Sequence, residues 1–137
     1  MTDENEAKIE KTDGDADYYS FPTKTGLPFS AAVRVGNVLY VSGQMGTDSS
    51  LKIVSGGIEA ETRQTLLNMK NILERHGSSL DRVVKCTVMM ADMSEWPAMN
   101  AVYVQHFTKH LPARSAFGAA ALALGGRIEI ECIATVR

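Results

Sequence analysis

Cysteine is scarce, long apolar runs are missing and positive charge is not in surplus; each shortage removes a class of protein. The two cysteines, Cys86 and Cys132, each sit in an alternating, β-branched run with no CxxC or metal-ligand spacing. That excludes a disulfide scaffold and predicts two small, reduced core residues. No apolar stretch approaches the roughly 18 residues that a membrane helix needs, so no membrane partner is expected. The opening MTDENEAKIEKTDGDADYY lacks the basic start and apolar middle of a secretory signal, and a cytoplasmic address is expected. The formal charge is −2, and residues 1–18 hold seven acids against two lysines, which leaves nine acids against twelve bases in the remainder. No basic stripe, aromatic stacking platform or histidine pair is present, so ribonuclease action and a nucleic-acid partner are disfavoured. His76, His106 and His110 share no ligand geometry, and no metal site is expected.

What is present is the composition of an ordinary globular protein, 45% apolar and 22% charged over 137 residues. A chain of that length buries roughly two thirds of its unfolded surface in one core. Residues 1–18 are too charged to offset their ordering entropy and are expected to be a flexible acidic tail, with a single domain over 19–137. AAVRVGNVLYVSG reads as strands at about 31–35 and 38–42 around a Gly36-Asn37 turn, and a brief strand is expected around Lys52–Val54. IEAETRQTLLNMKNILERHG places Leu66, Met69 and Leu73 at helical spacing, with early acids and Gly77 as the stop. Val83–Met90 alternates as a strand. Asp92 or Ser94 caps a second helix with a stripe of Trp96, Met99, Tyr103, Phe107 and His110, ending before Leu111-Pro112. Pro97 is tolerable there because it falls in the first turn. Two strands separated by Gly125-Gly126 finish the chain.

The order predicts an α+β fold, two helices on one face of a β-sheet. On the last strand Ile128, Ile130, Cys132 and Ala134 share one face, and Glu129, Glu131, Ile133 and Thr135 the other. A sheet with one face under helices and a mixed second face asks for cover from other copies, most simply in a closed cyclic oligomer.

From Leu111 to Gly126 the only charged residue is Arg114. A buried guanidinium needs an internal partner or a ligand anion, and its planar fork fits a carboxylate bidentately. A glutamate in a partly apolar pocket has its pKa raised to where it serves as a base on water. Arg114 with Glu129 or Glu131 therefore fits water addition to a small carboxylate-bearing substrate. The same residues also fit an exposed edge strand, or a structural salt bridge between Arg114 and one of the glutamates.

The segments GNVLYVSGQMG (36–46), ETRQTLLNMKNILE (61–74), VVKCTVMMADM (83–93), MNAVYVQHF (99–107), LPARSA (111–116) and RIEIECIA (127–134) occur in colinear order. In these the chain resembles the Rid (reactive intermediate deaminase, YjgF-like) family, its RidA-like branch. The resemblance implies a chorismate-mutase-like subunit in a homotrimer, with the open sheet faces forming a central barrel and clefts between neighbours. It implies hydrolysis of enamine or imine intermediates to 2-keto acids and ammonia, without metal or organic cofactor. By motif position Arg114 would clamp the substrate carboxylate and Glu129 would activate the water, with Glu131 structural. Ser42, Gly43 and Asn100 would shape the cleft. Ala116 and Phe29 would line it where many members carry cysteine and tyrosine. A non-catalytic small-carboxylate sensor is the alternative reading.

Overall fold

The computed structural model describes residues 9–22 and 26–136. Seven strands, β1 (Ile9–Asp13), β2 (Ala16–Tyr19), β3 (Ala32–Val35), β4 (Val38–Met45), β5 (Val83–Met90), β6 (Ala113–Gly118) and β7 (Ile128–Thr135), form one mixed sheet. Their order is β1-β2-β3-β4-β7-β5-β6. Helices α1 (Gly57–Arg75) and α2 (Trp96–His106) pack on one of its faces. The α+β class, the two helices on one face and the strand at Val83–Met90 agree with the sequence reading.

Each element follows from local chemistry. The β3–β4 hairpin pairs Val35 with Val38 across a two-residue turn, and Gly36 there takes φ 58, a left-handed conformation that glycine adopts without steric cost. In α1 the buried positions include Ile58, Leu66, Met69, Ile72 and Leu73, a stripe at steps of three and four. The helix stops where Ser78 N–H turns back to Leu73 O at 2.8 Å and Gly77 takes φ 80. Ahead of α2, the Asp92 carboxylate accepts from Ser94 N–H at 2.9 Å and caps a short 3-10 turn.

The last three strands set up the site. β5 and β6 run parallel, joined over the sheet by α2, while β7 inserts between β4 and β5, antiparallel to both. Ile128, Ile130, Cys132 and Ala134 are all buried toward the helices, as the period-two pattern predicts. Cys86 and Cys132 are free thiols at directly opposed positions of β5 and β7 in the core.

Three local expectations are revised. Residues 9–13 and 16–19 pair as a hairpin on the β3 edge, where the sequence reading set a tail; Gly14 at φ 60 makes the turn. The charge of the segment masked its turn signal, and pairing to an existing sheet edge supplies what composition alone lacks. Residues 1–8 lie outside the described residues. The strand expected near Lys52–Val54 is a single bridge, Thr47 to Ile53. Finally, α2 ends at His106, not at His110, because Phe107 leaves helical geometry (φ −117, ψ 83) while remaining buried in the core.

Candidate active site

Arg114 lies on the edge strand β6, where its register partner on β5 is the buried Cys86. Directly paired residues point to the same face, so Arg114 projects toward the helices. There its Cζ stands 4.8 Å from the Tyr103 ring centre and 5.9 Å from that of Trp96. Both rings come from α2, and steps of four and three put Trp96, Asn100 and Tyr103 on one helix face. Among the described residues the guanidinium makes no ion pair. The Asn100 Oδ1 is buried without a hydrogen-bond partner. Ala116 follows Arg114 on the same face, opposite Val88.

Glu129 occupies the other side of the sheet. Its partners on β5 and β4 are Met89 and Met45, and it alternates with the buried Ile128 and Ile130. A bulge in β4 between Val41 and Gln44 makes room for its carboxylate. A Cβ at Gly43 would fall within 2.9 Å of Glu129 Cδ and closer still to Oε2, so any larger residue would push the carboxylate out of this position. The bulge is fastened by Ser42, whose hydroxyl donates to Ser30 O at 2.6 Å and whose N–H reaches Ala31 O at 3.1 Å, and by Gln44 Nε2 donating to Ser42 O at 2.9 Å. Ser30 follows Phe29, which is exposed and edge-on to Phe21. Burial, and secondarily the charge of Glu131, raise the Glu129 carboxyl above the ordinary carboxylate range.

The residues singled out from the sequence thus form two groups. Arg114, Asn100 and Ala116 gather on the helix side of the β6 edge, and Glu129, Ser42 and Gly43 gather on the open side, with Phe29 beside them. One chain does not bring the two groups together, and no ion pair joins Arg114 to Glu129 or Glu131. Sequence reasoning passed over Trp96 and Tyr103 as ordinary members of an amphipathic stripe. Tyr103 is buried as expected, but Trp96 is 42% exposed beside the guanidinium. The available signal was the helical spacing of a tryptophan, an asparagine and a tyrosine on one face.

A guanidinium without a carboxylate partner among the described residues can anchor an acid, and a carboxyl of raised pKa can act as a base on water. Residues 22–136 match the family described as Endoribonuclease L-PSP, to which the Rid proteins belong. The chain belongs to this family. The Rid family match leaves β1 and β2 outside its span and includes both Arg114 and Glu129. A human relative named 2-iminobutanoate/2-iminopropanoate deaminase is 46% identical over 108 residues, covering 78% of this chain and 79% of its own. The yeast protein HMF1 is 42% identical over 109 residues, 80% of this chain and 84% of its own. Among solved structures, RidA from an Antarctic Psychrobacter superposes with a TM-score of 0.78 at 38% identity, over 82% of this chain and 92% of its own. Escherichia coli TdcF, solved with bound serine, gives 0.75 at 30% identity, over 80% and 89%.

Proposed function

We propose that this protein is an imine deaminase, hydrolysing 2-imino acids to 2-keto acids and ammonia at clefts shared between copies of the chain in a homotrimer. The observation that carries this reading is the Arg114 guanidinium, free of any carboxylate partner among the described residues, in a chain 46% identical over 108 residues to a named 2-iminobutanoate/2-iminopropanoate deaminase. The placement of Arg114 and Glu129 on opposite faces supports the shared cleft, because a second copy is then needed to offer the glutamate. The open sheet face, with Tyr40 and Phe117 exposed on it, supports burial against other copies. A cytoplasmic address is part of the same proposal.

In this mechanism Arg114 holds the substrate carboxylate through its N–H fork. The Glu129 carboxylate of the neighbouring copy takes a proton from water as the water oxygen bonds to the imine carbon. Glu129 passes that proton on to nitrogen to give the tetrahedral carbinolamine, which then collapses: its hydroxyl proton moves through Glu129 to nitrogen as the C=O bond forms and the C–N bond breaks, and ammonia leaves a 2-keto acid. Holding water and imine together and managing one proton contribute on the order of 10²- to 10⁴-fold, enough for an intermediate that also hydrolyses unaided. Ala116 and Phe29 place a methyl and a phenyl ring where a thiol and a phenol would add polar contacts, which favours a less polar substrate side chain.

Phosphodiester chemistry has no support in the histidines. His76 is buried against Tyr19, with ring centres 4.1 Å apart, and burial lowers its pKa to about 4. His106 Nδ1 is engaged 3.0 Å from Val102 O, and His110 is exposed beyond α2.

The test couples an amino-acid dehydratase or oxidase, as imine source, to keto-acid detection. Wild type is expected to accelerate keto-acid release. Arg114→Ala is expected to lower kcat/KM by about 10²-fold or more while leaving the melting temperature close to wild type. An Arg114→Ala variant as active as wild type removes the clamp. Calorimetric binding of small carboxylates without turnover of any imine replaces the enzyme by a sensor.

A further inference from the structure

An arginine on an edge strand has a long side chain with many rotamers, yet a clamp must present its fork in one orientation. A carboxylate partner would fix it, but would occupy the same N–H donors that the substrate needs. The structure uses another restraint. The Arg114 Cζ lies over the Tyr103 ring, 4.8 Å from its centre, with the Trp96 ring centre 5.9 Å away, and a cation–π contact of this kind restrains the guanidinium without a competing anion on its N–H donors. Tyr103 is itself well anchored: it is 5% exposed and packs against Phe107 with ring centres 4.7 Å apart. Its hydroxyl is buried toward the Cys86 thiol, below Arg114 in the register, without a well-formed hydrogen bond. The ring, and not the hydroxyl, is the part of Tyr103 that meets the arginine.

We propose that Tyr103, assisted by Trp96, is a positioning residue that holds the Arg114 guanidinium against its aromatic ring and so keeps the carboxylate-binding fork open. This rests on the reading of Arg114 as a carboxylate clamp. Tyr103 does not touch substrate; it sets the affinity for the acid group through Arg114.

The chain's one tryptophan is Trp96, so its emission provides a direct titration of the clamp with butanoate, an acid without near-ultraviolet absorption of its own. Wild type is expected to give a saturable change that Arg114→Ala loses. Tyr103→Leu is expected to weaken butanoate binding about tenfold and to raise KM in the same ratio, with kcat changed less than about threefold. Tyr103→Phe, which keeps the ring, is expected to stay within about twofold of wild type in both. In an Arg114→Ala background Tyr103→Leu should add no further loss, whereas a merely structural role would add its own. A folded Tyr103→Leu variant with wild-type KM and butanoate affinity overturns the proposal. If Tyr103→Leu does not fold, Trp96→Leu at the exposed ring takes its place, read by calorimetry. At least about threefold weaker butanoate binding is then expected, and unchanged binding overturns the proposal. Arg114-dependent butanoate binding without imine hydrolysis would sink the deaminase reading and leave the positioning role standing. Butanoate binding that survives Arg114→Ala would sink both.

Discussion

At the scale of single residues, the proposed chemistry turns on how two carboxylates share one strand face. Glu129 and Glu131 are two apart on β7, and burial first, then the charge of Glu131, hold the Glu129 proton more tightly than usual. A base must be deprotonated to act, so a raised pKa means that activity is lost on acidification at a higher pH than for an ordinary carboxylate. Replacing Glu131 by glutamine removes the smaller of the two causes. The acid limb of the kcat profile is therefore expected to move to lower pH in Glu131→Gln, with the rate at neutral pH little changed. A limb unmoved in that variant would mean that Glu129 is not the titrating group. Arg114 and Glu129 stood out in the sequence because charges in apolar runs are conspicuous. Tyr103 and Trp96 did not, because an aromatic stripe looks the same whether it fills a core or also supports a guanidinium.

Among elements, β4 shows how a backbone irregularity serves a side chain on another strand. The bulge at Ser42-Gly43, tied to residues 30 and 31 by two hydrogen bonds and braced internally by a third from Gln44, leaves a recess in which the Glu129 carboxylate lies. Gly43 has an ordinary backbone conformation there, so an added Cβ is opposed only by the far end of a flexible glutamate. Gly43→Ala is expected to cost under about 1 kcal/mol in stability and to lower kcat at least about tenfold by displacing the base. Unchanged kcat with the methyl in place would show that the recess is not needed. Alternating hydrophobicity and turn residues made β3, β4, β5, β7 and α1 legible beforehand. The end of α2 was less so, since Phe107 continues the apolar period while its backbone departs from the helix. Arg127, just before β7, was also hidden: its backbone N–H meets the buried Glu61 of α1 at 2.8 Å, 66 residues away in sequence, and its guanidinium meets Glu95 in the turn before α2 at 3.0 and 3.1 Å.

For the whole molecule the decisive feature is the insertion of β7 between β4 and β5. Sequence order suggests that β6 and β7 lie side by side, which would place Arg114 and Glu129 at opposite ends of a hairpin. The observed order and register place them on opposite faces of the sheet. Period-two reasoning sorts the residues of one strand between faces, but strand order depends on contacts remote in sequence, and that is why the two-group layout was not legible. The layout carries the central claim that each active site takes Arg114 from one copy and Glu129 from another. Its most direct test mixes two variants, Arg114→Ala and Glu129→Gln, each expected to be inactive alone, differently tagged and assembled together in equal amounts. Mixed oligomers purified through both tags should recover activity, up to about a third of the wild-type rate, because a mixed ring of three copies holds one interface in three with both residues intact. Mixed oligomers as inactive as their parents would contradict a site shared between chains.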